Sequence, residues 1–270
     1  MKKIICLVLS FAMLFTMSTS AFAADAEKTD MDAALLERGY PQVYLDNISE
    51  SAKESLYNKP DAVFAGAMIC AYNEESGESF QYAISADGIS TCGQIDEEDL
   101  TLTWGLSRYT TSGNVLVTYS YEWNNLPVNR YQDPIGVSWD DECFEMIDNS
   151  FYKVDKFTGY SNYGGFIGST LETVIHDEAN AYASASSSGV TWYADLVGHN
   201  TIYYTVSIYG HGEFLLKPKS TSFTTTLYGH YVHALTGLSL SLGIPDYGVG
   251  FEISGGASYD ELGNQITYTY

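Results

Sequence analysis

Between Tyr121 and Asp148 the chain gathers its densest set of aromatic and polar side chains: Trp123, Asn124, Asn125, Arg130, Tyr131, Asp133, Trp139, Asp140 and Asp141 among them. Aromatic faces beside amides and carboxylates suit a sugar, because the ring takes the C–H groups and the polar side chains take the hydroxyls. Trp123, Asn125, Tyr131 and Trp139 would make that platform. Its partner would be a cell-wall or extracellular glycan, or another protein. The competing interpretation makes Trp123 and Trp139 core anchors at strand ends. Asp133, Asp140 and Asp141 offer hard oxygen donors suited to Ca2+, although the loop lacks the alternating acids of an EF-hand and a solvated acidic loop is the plainer reading.

Catalytic signatures are sparse. Gly-x-Ser-x-Gly, HExxH and the P-loop are missing from the sequence. The five histidines (His176, His199, His211, His230 and His233) all lie in the C-terminal half. His230 and His233 are three apart, which in a strand sends them to opposite faces. A carboxylate pair for glycoside hydrolysis needs only the right separation in space, and Glu122, Glu172 and Glu213 are the candidates. A secreted polysaccharide hydrolase is therefore the alternative to a binding module. A membrane-active, oligomerising toxin is a second alternative, because Leu171–Ile208 alternates in the manner of membrane-crossing strands.

Composition narrows the field. The 270 residues include 34 acidic and 12 basic side chains, a formal charge of −22, with 23 tyrosines. That field repels phosphate backbones, which sets nucleic acid aside as a partner. Unpaired carboxylates also predict a fold that gains stability from salt, which screens them. Tyrosine covers a sheet face with apolar area while its hydroxyl stays hydrated.

Met1-Lys2-Lys3, the apolar run Ile4–Phe15 and the small-x-small triplet Ala21-Phe22-Ala23 have the form of a secretory signal peptide over residues 1–23, cut near Ala23–Ala24. Its apolar core is too short to span a bilayer, and no later segment is long enough to serve as a transmembrane anchor. The expected location is extracellular. Three cysteines follow the cut, Cys70, Cys92 and Cys143; an export route permits a Cys70–Cys92 bridge, and the alternative is that all stay reduced.

Two short helices open the mature chain over 24–60. Thr29 can cap the first over Asp30–Arg38, and Gly39 with Pro41 stops it. Asn47, with Glu50 three residues on, starts the second near 47–57, closed by Pro60. From 61 to 270 the pattern has period two. Leu100, Leu102, Trp104 and Leu106 alternate with polar partners, as do Val115, Val117, Tyr119, Tyr121 and Trp123, across a Thr111–Asn114 turn. Alternation recurs at Ala179–Ala185, Ile202–Ile208, Leu238–Leu242, Val249–Ile253 and Ile266–Tyr270. The expected fold is mainly β, an antiparallel sandwich or barrel-like arrangement preceded by two short N-terminal helices. A turn-rich stretch at Phe157–Gly165 could divide it into subregions 61–160 and 161–270.

Overall fold

A computed structural model describes residues 31–85, 88–92, 98–163, 166–196, 203–235, 241–244, 251–254 and 258–270. The predicted signal peptide and Thr29 lie outside them.

The N-terminal segment carries three short helices: α1 (31–37), α2 (Gln42–Leu45) and α3 (Glu50–Tyr57). Gly39 adopts φ +84° just past α1, a backbone state that glycine enters without Cβ strain, so the helix ends where predicted. The cap of α3 is Ser49 and not Asn47. Ser49 is extended and its side chain accepts a hydrogen bond from the amide of Ala52, whereas Asn47 turns back to donate to the Val43 carbonyl at 2.7 Å. Among the described residues no helix is long and apolar enough to cross a membrane.

Sixteen strands follow among the described residues. One sheet runs in the order β3 (Gly88–Cys92), β2 (Ser79–Ser85), β1 (Ala62–Tyr72), β4 (Leu100–Tyr109), β5 (Val115–Trp123), β12 (Tyr203–Pro218), β8 (Tyr152–Tyr163), β9 (Phe166–Ala179), with β7 (Phe144–Met146) also on β12. The second runs β10 (Ser184–Ser186), β11 (Gly189–Asp195), β6 (Gln132–Ser138), β13 (Thr224–Ala234), β16 (Tyr259–Thr269). A small hairpin pairs β14 (Ser241–Gly243) with β15 (Glu252–Ser254). All of these pairings are antiparallel, and neither large sheet closes into a barrel. The predicted Thr111–Asn114 turn joins β4 to β5, with Gly113 at φ +74°.

The core lies between the two large sheets. Tyr119 meets Trp192 edge to face at 6.0 Å, and Trp139 packs on Phe214 at 5.6 Å. Interdigitated aromatic rings of this kind contribute beyond their buried area. The outer face of the larger sheet is not wet throughout, as simple alternation implies. The three helices cover part of it, packing Leu35, Tyr44, Leu45 and Leu56 against Ala67, Ile69, Ile84 and Leu116. Some polar groups under this cover are paired: Tyr40 donates to Ser107 Oγ at 2.9 Å, and the Ser49 amide to Ser120 Oγ at 3.3 Å, whereas the Thr103 and Thr118 hydroxyls are buried without a hydrogen-bond partner. A side chain at Gly105 would collide with the Tyr44 ring, so the close approach of α2 requires glycine there.

Several expectations change. Ala179 ends β9 and strand structure resumes only at Ser184, so Ala179–Ala185 is not one strand. Asn180 turns the chain there with φ +58°. Leu171–Ile208 contributes to β9, β10, β11 and β12 across both sheets. Of the turn-rich stretch, Phe157–Tyr163 lies within β8 and Gly164 and Gly165 lie outside the described residues; in the sheets, β12 lies between β5 and β8 and β6 between β11 and β13. Cys70 and Cys92 are both in register with Gln81 of the intervening β2. Two strand spacings separate their backbones by roughly 9–10 Å, beyond disulfide reach, and Cys70 is free and buried.

Candidate functional site

One face of α3 builds a cleft. Ser51, Glu54, Ser55, Asn58 and Lys59 recur at helical spacing, so they project to one side, while Ala52 and Leu56 turn into the apolar contact with the sheet. Opposite stand residues of three strands that share an outer face: Tyr152, Val154 and Lys156 of β8, His211 and Glu213 of β12, and Val174 and Asp177 of β9, three apart but brought to one face by a register shift. These residues enclose about 490 Å³, within the size range of small-ligand sites.

The floor of the cleft is an ion pair with a hydroxyl. Lys59 Nζ lies 2.9 and 3.2 Å from the two Glu213 oxygens, and Ser55 Oγ donates to Glu213 Oε2 at 2.6 Å. Lys59 also contacts Ser55 Oγ. A lysine that is the cation of such a pair cannot take a proton from Ser55, so the trio holds a shape and charge pattern rather than an activated nucleophile. Beside it, Ser51 Oγ is 3.1 Å from His211 Nδ1. His211 is only 2 % exposed, and burial pushes it down to about 4, so it is neutral near neutrality. Its Nε2 has no hydrogen-bond partner, and no carboxylate orients the ring as a catalytic base requires.

A second polar cluster lies at one end of the sandwich and faces inward. Asp133, at the start of β6, is fully buried and accepts from Tyr231 Oη at 2.6 Å, His233 Nδ1 at 2.8 Å and the Ala234 amide at 3.1 Å. Trp123 Nε1 donates to the same Tyr231 hydroxyl at 3.0 Å, and its ring lies against His233 at 4.8 Å. His233 Nε2 faces Glu74 Oε1 at 3.6 Å, close enough for ionic attraction but too long for a hydrogen bond. Burial alone would lower His233, but the hydrogen bond and charge of Asp133, with Glu74 behind, outweigh it and hold the imidazole above its ordinary value. Glu74 in turn accepts from the Val128 amide, and Asp99 binds the Glu74 amide at 2.8 Å and Asn125 Nδ2 at 2.9 Å.

These two clusters redistribute the sequence candidates. Trp123 and Asp133 share the Tyr231 hydroxyl at the sandwich end, and Asn125 and Tyr131 lie in the loop between β5 and β6, but Trp139, Asp140 and Asp141 lie at the far end of β6, roughly 20 Å away along the strand. Neither indole presents a face to solvent: Trp123 and Trp139 are both fully buried, and Trp139 Nε1 donates to the Ser187 carbonyl. Asn125 and Tyr131 are exposed. The three aspartates therefore cannot surround one Ca2+. Asp133 is taken up by three protein donors, Asp140 caps the Glu142 amide and Asp141 accepts from Ser187. Among the described residues no three His, Cys, Asp or Glu side chains converge closely enough to hold a metal ion.

The carboxylate candidates also separate. Glu122 lines a neighbouring cleft of about 440 Å³ with Asp32, Glu50 and Lys53, and burial with the Glu50 charge holds it above its ordinary value. Glu122 pairs with Tyr209, four residues from Glu213 on the adjacent strand, which sets the two about 14 Å apart. Glycosidase pairs need no more than about 9.5 Å. The Glu172 side chain and His199 lie outside the described residues. His230 and His233 do take opposite faces, His233 fully buried and His230 bonded outside to Glu261.

Ser51, Ser55, Asn58 and Lys59 went unnoticed in the sequence. Their signal was a polar stripe at helical spacing on a helix whose opposite stripe is apolar.

No family model matches the chain, and no curated protein does. Solved structures do match, and Clostridium perfringens delta-toxin is one of them, with a TM-score of 0.31 and 7 % sequence identity over 75 % of this chain and 93 % of that one. A likeness that loose transfers neither site nor activity.

Proposed function

We propose that the protein is an exported binding module that takes a polyhydroxylated ligand, a cell-wall or extracellular glycan, in the cleft between α3 and strands β8, β9 and β12. The observation that carries this reading is the convergence on one preformed cleft of hydroxyls (Ser51, Ser55, Tyr152), an amide (Asn58) and an ion pair (Lys59–Glu213), with Val154 and Val174 on its wall. Sugars need this mixture, since each hydroxyl wants a directional partner and each ring face wants apolar contact. The surface-binding role read from the sequence is kept, but its place moves from the Trp123–Trp139 loop to α3. Export rests on the form of residues 1–23.

The test is a pelleting assay. The mature chain, Ala24 to Tyr270, is incubated with Gram-positive cell walls and insoluble polysaccharides, then centrifuged. Pelleting that Asn58→Leu or Tyr152→Ala abolishes, with the thermal melt unchanged, supports the cleft. Pelleting that survives both substitutions moves the site elsewhere, and no pelleting on any glycan overturns the reading.

A further inference from the structure

We propose that His233 and Glu74 form a pH-sensitive latch on the loop between β5 and β6, closed while the imidazole carries its proton and released when it loses it. Neither residue belongs to the cleft beside α3. The loop, residues 124–131, is held at two places. At its base the Asn124 amide donates to the Asp99 carbonyl at 2.7 Å, and Asn125 Nδ2 to the Asp99 carboxylate at 2.9 Å. At its tip the Val128 amide donates to the Glu74 carboxylate, 3.3 and 3.1 Å from the two oxygens. The Val128 side chain is exposed, so the tie at this position is the backbone bond to Glu74.

Glu74 in turn faces His233 Nε2 at 3.6 Å. The ring is fully buried, and its other nitrogen, Nδ1, lies 2.8 Å from Asp133. That placement decides which proton is lost. Asp133 keeps a proton on Nδ1, so a neutral ring turns the lone pair of Nε2 toward the Glu74 carboxylate. Attraction becomes repulsion at one atom, in a site where burial leaves little screening. Asp133 is also held by Tyr231 and the Ala234 amide and has no exposed surface, whereas the Glu74 side chain is 17 % exposed. Glu74 is therefore the carboxylate that moves, and the Val128 amide loses its acceptor.

The groups around the ring leave the imidazole as their one source of positive charge. Asp133 comes from β6, Glu74 from the β1–β2 turn and Asp99 from just before β4, while Asp260 of β16 stands in register with His233. The titratable phenols are Tyr231, bonded to Asp133, and Tyr72, bonded to Asp260. Trp123 of β5 covers the ring. Arg130, the charged residue of the loop itself, is exposed. Burial works against a charged ring, but Asp133 and Glu74 outweigh it and hold the imidazole above its ordinary value. The latch is thus closed in acid and opens as pH rises through that raised value.

NMR on the isotope-labelled mature chain tests this from about pH 5.5 to about pH 9, a range that brackets a raised histidine. The His233 ring protons report its titration, and amide exchange, corrected for its intrinsic pH dependence, reports the loop. The expected result is a fall of about tenfold in Val128 protection over the interval in which His233 titrates, with Asn124 protection unchanged. Glu74→Gln should remove that pH dependence, because its carbonyl still accepts from Val128 and its amide N–H donates to the neutral ring. Val128 protection that stays level while the native ring titrates overturns the latch, and so does a ring that does not titrate in this range. A parallel fall at Asn124, or an equal fall at Val128 in Glu74→Gln, overturns it as well, since the loosening would then begin elsewhere. The native readings decide even where the variant fails to fold.

Discussion

The cleft beside α3 and the inward cluster at the sandwich end each enclose a histidine, at 2 % exposure for His211 and none for His233. Burial is nearly the same, yet the two imidazoles move in opposite directions. His211 has a hydroxyl at Nδ1 and nothing at Nε2, so desolvation dominates and pushes it down to about 4. His233 has Asp133 at Nδ1 and Glu74 facing Nε2, and their charges reverse the sign. Enclosure does not set a protonation state; the partners inside the enclosure do. The two regions also differ in what their polar contacts join. At the sandwich end each carboxylate is taken by protein donors, which ties the loops around Glu74, Asp99 and Val128 to the core. At α3 the Lys59–Glu213 pair with Ser55 ties the helix to β12, while the buried His211 keeps one ring nitrogen without a partner.

Asp133→Ala strands the Tyr231 hydroxyl, the His233 ring and the Ala234 amide inside the protein, and a loss of roughly 3–5 kcal/mol is expected. Urea denaturation reads it, and a loss below about 1 kcal/mol would mean that the cluster is not the anchor described here.

Next in size is the acid limb at His211. Its folded value lies below its unfolded one, so as pH falls the unfolded chain takes the proton first. Stability should fall between about pH 6.5 and 4 by about 3 kcal/mol and level off below that. His233 works the other way, since its folded value is raised: its contribution is complete below the unfolded value and is lost as pH rises through the folded one. His211→Asn should flatten the acid limb of the denaturation profile. An unchanged slope would show that the ring is not enclosed as a neutral group.

Lys59→Met tests the floor of the cleft. It leaves Glu213, 7 % exposed, with Ser55 alone, and about 1–2 kcal/mol should be lost. Lys59→Arg should recover part of this by restoring the charge. Smallest of all is Val128→Ser. Val128 is 85 % exposed and only its amide is used by Glu74, so the melt should stay within about 0.5 kcal/mol of native. A larger loss would show that the loop is held by its side chain as well as its backbone.

Trp123 shows how much could be read in advance. It falls in phase with Val115, Val117, Tyr119 and Tyr121, and Trp139 falls in phase with Ile135 and Val137. Period two alone thus placed both indoles on core faces; aromatic richness in a polar loop pulled the other way and was the weaker signal. The Ca2+ grouping failed for a different reason. Asp133 and Asp140 are near in sequence, but an extended strand turns that proximity into distance.

Local chemistry determined the rest of what was legible. Gly39 stops a helix, Gly113 turns a hairpin, and alternation makes antiparallel sheets. Each of these follows from backbone sterics or composition within a few residues. The cleft does not. Its walls come from residues 51–59, 152–177 and 211–213, and they meet because β12 inserts between β5 and β8 while α3 crosses their outer face. Periodicity states which residues share a face. Only the packed chain decides which faces meet, because that choice is made by the burial of distant apolar surfaces against one another.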